Sequence, residues 1–288
     1  MMRASVVILA HAEDPVPLRV QAALQQDGVD AYVVSDRDLV VAKRWCHRLS
    51  SDGAVSTQLT LADSSPVNFD DIGVVWNCLR EVRATHFAFP RESDVRYAVM
   101  ETQALWLSWL ASMPVPVLNR PTPRALGGGV LGDAEWISLA RAAGLPTRKW
   151  QLSTDARRFA HPQYAPQPPF EGGDEEETHG SRPFGRSPAL FLEPVDPTIS
   201  VATVVCDTVV GEPADLWHRE LVALGKSARL DIMQVSFAIC AGGARSDRRD
   251  SRVCGFSSDL RVAGDDVIET VAGLLERTAS SLETACRA

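Results

Sequence analysis

Short apolar runs alternate with segments of helical spacing in residues 1–120, and this alternation restricts the fold more than any other feature. The runs SVVILA, AYVVS, GVVWN and PVPVLN have the length and composition of buried strands. Between them, apolar residues recur at intervals of three and four, as on the buried face of a helix. Strands and helices in this order form a parallel sheet covered by helices. The sequence therefore predicts an α/β fold with a Rossmann-like N-terminal domain.

Three further regions are expected after this domain. Residues 121–160 contain a connecting helix and strand, and residues 189–288 contain a hairpin, further strands and helices that predict a smaller α+β domain. Residues 161–188 are rich in Pro, Gly and acidic residues and have neither a strand nor a helix period, so we expect a flexible linker or long loop. Residues 50–70, rich in Ser and Asp, also predict a loop.

Glycines mark two expected boundaries. A helix over residues 216–224 is predicted to end at Gly225. The run LGGGVLG over residues 126–132 precedes another helix. It lacks the Gly-Lys-Ser/Thr ending of a P-loop and does not follow the first strand as a dinucleotide fingerprint does. We interpret it as a flexible turn between domains, at a helix start that attracts anions weakly.

Composition excludes several classes of protein. The formal net charge is −8, from 29 Lys+Arg and 37 Asp+Glu, which argues against a nucleic-acid-coating protein. No apolar run approaches the roughly 20 residues of a membrane helix, and the N-terminal run is too short for a signal peptide. The six cysteines form no CxxC pair. We therefore expect a cytoplasmic protein without a structural metal site.

Charged side chains follow two of the predicted parallel strands. His11 comes directly after the first strand, and Arg80, Arg83 and His86 follow the third. Ligands of parallel α/β sheets bind at the carboxyl edge, where these strand ends meet. The sequence thus predicts that these four residues line one ligand pocket, with solvated surface charge as the alternative.

The order of several motifs resembles the ATP-grasp superfamily, in particular the RimK-like ligases and their relatives that mature ribosomal peptides. The similar segments in the first half are VVWNCLREVR, DVRYAVMETQALWLSWLASM, VPVLNRPTPRAL and WISLARAAGLPTRKWQLST. The second half is similar more loosely, through FLEPVDPTISVATVVCDTVVG and the segments at residues 230–238 and 252–260. The resemblance implies a pre-ATP-grasp domain followed by an ATP-grasp domain.

The resemblance also implies a nucleotide site from which this chain departs. It places Leu192, Glu193 and Val195 on a hinge whose backbone holds adenine. It implies lysines for the phosphates, but no Lys lies between Lys43 and Lys149 or between Lys149 and the hinge. Carboxylate and amide ligands for Mg²⁺ are implied at Ser236 and within residues 252–256, where the chain has neither group. The short, breaker-rich stretch before the hinge predicts that the lid is lost or reduced to a loop.

These departures leave three functional hypotheses. The leading one is a degenerate, non-ligating homologue that acts as a binding or accessory protein in peptide maturation or natural-product biosynthesis, with no cofactor expected. The second is an active ATP-dependent carboxylate–amine ligase, which alone would require ATP and Mg²⁺. The third is a small-molecule sensor that uses the N-terminal pocket.

Loss of the lid predicts that the protein associates with another chain. The surface left uncovered is expected in the C-terminal domain, on Phe191, Leu192 and Val195 of the hinge strand and on Trp217 and Leu221 of the next helix. An exposed apolar face is unfavourable in water. We therefore expect a homodimer, or a complex with a protein or peptide partner, through C-terminal surfaces.

Overall fold

A computed structural model describes most of the chain. The described residues are 5–67, 72–89, 91–123, 125–129, 132–153, 165–166, 189–192, 199–239, 251–258, 260 and 263–285. A parallel sheet has the strand order β2-β1-β6-β7 and consists of β1 (Ser5–Ala10), β2 (Ala31–Ser35), β6 (Ile72–Asn77) and β7 (Val117–Leu118). Strands β1 and β6 are buried along their whole length, which explains why both are apolar without alternation. The predicted α/β class is confirmed.

Helices cover both faces of this sheet. They are α1 (Pro15–Gln26), α2 (Asp36–Val40), α3 (Glu92–Ala111) and α6 (Asp265–Ala285). On one face, Val20 of α1 and Val271 of α6 pack with Ile8 of the sheet. On the other, Trp106 and Trp109 of α3 pack with the alternate side chains of β1 and β6. The last helix of the chain therefore completes the core of the N-terminal domain.

An antiparallel meander replaces much of the loop predicted over residues 50–70. Its strands, in the order β3-β4-β5, are β3 (Arg44–Leu49), β4 (Val55–Thr60) and β5 (Pro66–Val67). The prediction was wrong because these strands are short and largely polar, and their position depends on tertiary contacts with α3. The Trp45 ring lies 5.0 Å from the Trp109 ring, edge on, between centroids.

A second antiparallel sheet forms the C-terminal core. In the order β12-β11-β13-β14, it consists of β11 (Ile199–Val205), β12 (Thr208–Val210), β13 (Ile232–Ile239) and β14 (Ser251–Ser257). Two helices pack against one face, α4 (Asp133–Ala142) and α5 (Ala214–Ala228). Trp217 and Leu221 of α5 are buried in this core, so the expectation that they form an uncovered surface is wrong.

Gly225 lies inside α5 and does not end it, contrary to the prediction. A Cβ on Gly225 would lie 3.3 Å from the Leu230 carbonyl oxygen and 3.5 Å from Val204. The glycine therefore serves close helix–sheet packing. The helix ends instead at Arg229, whose φ of 57° is left-handed.

A third sheet includes part of the segment expected to be a linker. Its strands are β8 (Trp150–Ser153), β9 (Ala165–Pro166) and β10 (Ala189–Leu192), in the order β8-β10-β9. The expectation that residues 161–188 contain no strand is therefore wrong at Ala165–Pro166, which pair with β10. Pro166 is tolerated because β9 is an edge strand. The remainder of residues 161–188 lies outside the described residues.

Two asparagines and a glycine run join the two halves of the molecule. The Asn77 side chain donates to the carbonyls of Asn119 and Leu126 at 3.0 and 2.6 Å. The Asn119 side chain in turn bonds the backbone of Ile232 at the start of β13. A Cβ on Gly129 would lie 2.3 Å from the Ala228 carbonyl oxygen. The LGGG run is thus closely packed against α5, whereas a flexible turn was expected.

Within the ranges described above, no helix combines the length and the apolar character needed to cross a membrane.

Candidate functional site

The four residues predicted to line a pocket lie together at the carboxyl edge of the parallel sheet. His11 follows β1, Arg80 and Arg83 follow β6, and His86 ends a short 3-10 helix over Ala84–His86. Asp36, the first residue of α2 directly after β2, joins them, and so do Glu13 and Asp14. We call these seven residues the strand-end cluster.

Asp36 is the centre of the strand-end cluster. Its Oδ2 accepts hydrogen bonds from His11 Nδ1 at 2.8 Å and from His86 Nε2 at 3.0 Å. Its Oδ1 accepts from the backbone amides of Ala12 and Arg37 at 3.0 and 2.9 Å. Both oxygens of this fully buried carboxylate are therefore engaged. The cluster ties three strand ends to one acid.

The protonation of Asp36 follows from these bonds. Burial by itself raises the pKa of a carboxyl group because it disfavours the charge. In Asp36 the hydrogen bonds from His11 and His86, with further stabilisation from the Ala12 amide, outweigh burial and hold the pKa well below its usual range. Asp36 is therefore a carboxylate at neutral pH.

His11 is a positioning residue in this geometry. Its Nε2 accepts a hydrogen bond from the Arg80 backbone amide at 3.1 Å, so the proton of the neutral ring is on Nδ1, which faces Asp36. Both ring nitrogens are used and the side chain is buried. His11 therefore orients the loop after β6 and offers no nitrogen to a ligand.

The outer part of the strand-end cluster consists of ion pairs. Arg83 donates a hydrogen bond to Glu13, and its Nε lies 3.9 Å from Asp36 Oδ2. The hydrogen bond from Arg83 lowers the pKa of Glu13. Arg80 Nη2 lies 3.5 Å from Asp14 Oδ1. An anionic ligand at this edge would have to displace Glu13 or Asp14 from its arginine.

Sequence reasoning missed Asp36, although a usable signal was present. Asp36 comes directly after β2, as His11 comes directly after β1, and β2 was predicted correctly. The same strand-end argument applies to both residues. Ser35 caps α2 by accepting from the Asp38 amide, and Asp36 is therefore the first residue of this helix.

A second candidate region is the face of the C-terminal sheet turned away from α5. Met233, Val235 and Phe237 point into the C-terminal core, so Gln234 and Ser236 lie on the other face. Gln234 is buried there and donates to Thr203 Oγ1 at 3.2 Å. Buried polar groups on one sheet face mark a surface that is not a simple apolar core.

The two positions that the resemblance assigns to Mg²⁺ ligands meet on this face. Ser236 pairs with Gly255, and the register shifts so that Cys254 is an extra, bulged residue. The Cys254 thiol contacts the Ser236 carbonyl oxygen at 3.4 Å. Burial raises the pKa of this thiol, so it stays protonated, whereas metals bind the thiolate. No group of three or more His, Cys, Asp or Glu suited to a metal occurs among the described residues. Ser236 and Cys254, the described residues at these positions, do not fit Mg²⁺.

The hinge-like residues are placed only in part. Leu192 ends β10 and pairs with Trp150 of β8. Glu193 and Val195 lie outside the described residues. The hinge assignment stays a prediction.

Comparison with known proteins gives the fold a family context. No protein-family model and no curated protein matches the sequence. The structure is similar to that of the ATP-grasp ligase PsnB, solved with a minimal precursor, Mg and ADP: the TM-score is 0.66 at 17% identity, over 97% of this chain and 100% of that one. It is also similar to the macrocyclase MdnC of Microcystis aeruginosa MRC, solved with the precursor peptide MdnA, with a TM-score of 0.70 at 14% identity over 95% and 100% of the two chains.

A third similar structure is a RimK domain ATP-grasp protein from Sphaerobacter thermophilus DSM 20745, with a TM-score of 0.52 at 15% identity over 96% of this chain and 99% of that one. All three matches extend over nearly the whole of both chains. The chain therefore has the fold of the ATP-grasp ligases, as the order of its motifs predicts.

Proposed function

We propose that this protein binds a peptide or protein partner without ligating it, as an accessory component of peptide maturation or natural-product biosynthesis. One observation carries the proposal: Ser236 and Cys254 meet where the resemblance places the metal ligands. A hydroxyl and a protonated thiol carry no negative charge, and Mg²⁺ is held by charged oxygen ligands. The peptide context comes from PsnB and MdnC, whose structures contain precursors.

Isothermal titration with ATP in the presence of Mg²⁺ tests this proposal. We expect no binding tighter than about 1 mM, because Ser236 and Cys254 occupy positions implied for metal ligands and the sequence has no Lys between Lys149 and the hinge. The same titration with ATP and EDTA is the control, since Mg²⁺ should make no difference. Micromolar binding that depends on Mg²⁺ would contradict the proposal.

An active carboxylate–amine ligase is the second candidate. Two observations favour it. The third sheet, which includes β10 and Leu192, precedes the C-terminal sheet in the chain. The structural similarity to PsnB extends over the whole length of that ligase. An active enzyme would release ADP when mixed with ATP, Mg²⁺ and a peptide that has both carboxylates and amines. Our proposal expects release no faster than in buffer. Release that requires the peptide would favour the ligase.

The third hypothesis, a small-molecule sensor, would use the strand-end cluster. Its arginines are paired with Glu13 and Asp14, so a ligand gains access only by breaking an ion pair. The partly exposed Arg83–Glu13 pair is the one more readily replaced, since Glu13 has the more exposed of the two acidic side chains. An anion that stabilises the protein against heat, and fails to do so after Arg83→Gln, would support this hypothesis.

Self-association remains part of the proposal. The burial of Trp217 and Leu221 removes two residues of the expected C-terminal surface, and Val195 lies outside the described residues. Light scattering at micromolar concentration should give twice the chain mass of 31.3 kDa, or a co-purifying partner. A monomer without a partner would contradict this prediction.

A further inference from the structure

Strand β3 is an edge of the meander, and half of its backbone groups face outward. The Ser50 amide donates to the Ala54 carbonyl at the hairpin end. Because hydrogen-bonded pairs alternate along an antiparallel ladder, Arg48 and Cys46 bond β4, whereas Trp45, His47 and Leu49 direct their N–H and C=O groups away from it. In the part of the chain that the structure describes, no strand pairs with this edge. Such an edge is a template for another strand.

The edge is held rigidly on α3. The Trp45 ring packs against Trp106 and Trp109, with centroids 6.4 and 5.0 Å apart. The ring nitrogens of His47 contact Thr57 Oγ1 at 2.9 Å and Ser108 Oγ at 3.3 Å. A strand fixed in this way loses little conformational freedom when a partner binds.

The edge is also cationic. Arg44 and Arg48 alternate with the inward-facing Trp45 and His47, so both project from the exposed face of the meander, and Lys43 precedes them. The β4 residues opposite Arg44 and Arg48 are Thr60 and Ser56, which are neutral. This positive strand is unusual in a chain whose formal net charge is −8.

We propose that the β3 edge binds an extended acidic peptide by strand addition, a proposal that rests on the peptide-binding function above. Main-chain bonds to Trp45, His47 and Leu49 would supply affinity, and carboxylates next to Arg44 and Arg48 would supply specificity. The two arginines are four positions apart, which is about 13 Å along a strand. The peptide should therefore carry acidic residues at positions i and i+4 of one face.

A second copy of this chain suits the edge poorly. Pairing of β3 with β3 of another copy would place four arginines beside one another on one sheet face, and like charges on neighbouring strands are destabilising. The acidic peptide is thus the occupant that the charges favour. The alternative role of the arginines is to keep the edge from pairing at all.

Fluorescence anisotropy with a labelled peptide, Thr-Glu-Val-Glu-Thr-Glu-Val-Glu, tests the proposal on the full-length protein. We expect binding that weakens at least about fivefold when glutamine replaces the glutamates. N-methylation of alternate backbone nitrogens should abolish it, because strand addition requires those donors. Equal binding of the glutamate and glutamine peptides, or of the methylated peptide, would overturn the proposal.

Variants locate the site. Arg48→Glu should weaken binding about tenfold, and Arg48→Gln by less, while Arg96→Glu, at an exposed position of α3, should leave it unchanged. Leu49→Pro removes one outward N–H at the end of β3, where the side chain is 62% exposed, and should also weaken binding. Thermal melts check that each variant folds. If Arg48→Glu and Arg96→Glu have the same effect on binding, or if no peptide binds, the proposal for the β3 edge is wrong. The proposed function is tested separately, by the titration with ATP and Mg²⁺.

Discussion

Replacing Asp36 with asparagine should lower the free energy of unfolding by about 3 kcal/mol at pH 7, because it leaves buried donors without their carboxylate. His11, His86 and two backbone amides donate to the Asp36 oxygens. An asparagine side chain has one oxygen and one NH₂ group. The NH₂ group would replace one of the carboxylate oxygens, and the two groups that donate to that oxygen would then face a donor. Urea unfolding, followed by circular dichroism, measures the loss.

The loss should depend on pH in a defined direction. The pKa of Asp36 is lowered in the folded protein, so its charge stabilises the fold at every pH above the pKa of the unfolded chain, about 4. The stabilisation falls as the pH drops below about 4 toward the pKa of Asp36 in the folded protein. At that pH the Asp36 carboxylate is protonated in the folded state as well. The difference between wild type and Asp36→Asn should therefore be smaller at pH 3 than at pH 5.

Asp27→Asn is the matched control, since it makes the same chemical change at an exposed site. Its effect should stay within about 0.5 kcal/mol. If Asp36→Asn costs no more than this control, the strand-end cluster does not hold the strand ends together.

The parallel sheet could be predicted because burial on both faces leaves a strong local signal. Strands β1 and β6 are continuous apolar runs, and their ends bring His11 and Arg80 to one edge by topology alone. The prediction that His11, Arg80, Arg83 and His86 come together depended only on this rule. Their ligand role is a separate question, because His11 uses both of its ring nitrogens within the cluster.

The meander could not be predicted in the same way. Strands β3 and β4 bury few residues, and their position depends on the contact of Trp45 with α3, far away in the chain. Similarly, Gly225 has the local signature of a helix end, whereas within α5 it lies against β11, where a Cβ would come 3.5 Å from Val204. In both cases a long-range contact outweighs local propensity.

The hydrogen bonds of Asn119 explain why an asparagine directly follows β7. This fully buried residue donates from its backbone to Asp231 Oδ2 at 2.8 Å. Its side-chain nitrogen donates to the Ile232 and Ser258 carbonyls at 2.8 and 3.3 Å, and its side-chain oxygen accepts from the Asp231 and Ile232 amides at 2.9 and 3.0 Å. One side chain thus joins the end of β7 to the start of β13. Its φ of 55° lies in the left-handed region, which asparagine tolerates better than most residues.

Asn119→Ala should therefore lower the free energy of unfolding by about 4 kcal/mol, through several unsatisfied buried groups and a strained backbone. Asn119→Gly separates the two causes, because it removes the same hydrogen bonds but accepts a positive φ, and should retain about 1 kcal/mol more stability than the alanine variant. Since the lost bonds connect two sheets, tryptophan fluorescence and far-ultraviolet circular dichroism should also cease to report a single unfolding transition. A loss below about 1 kcal/mol with coincident transitions would mean that packing of the glycine run, rather than Asn119, joins the two halves.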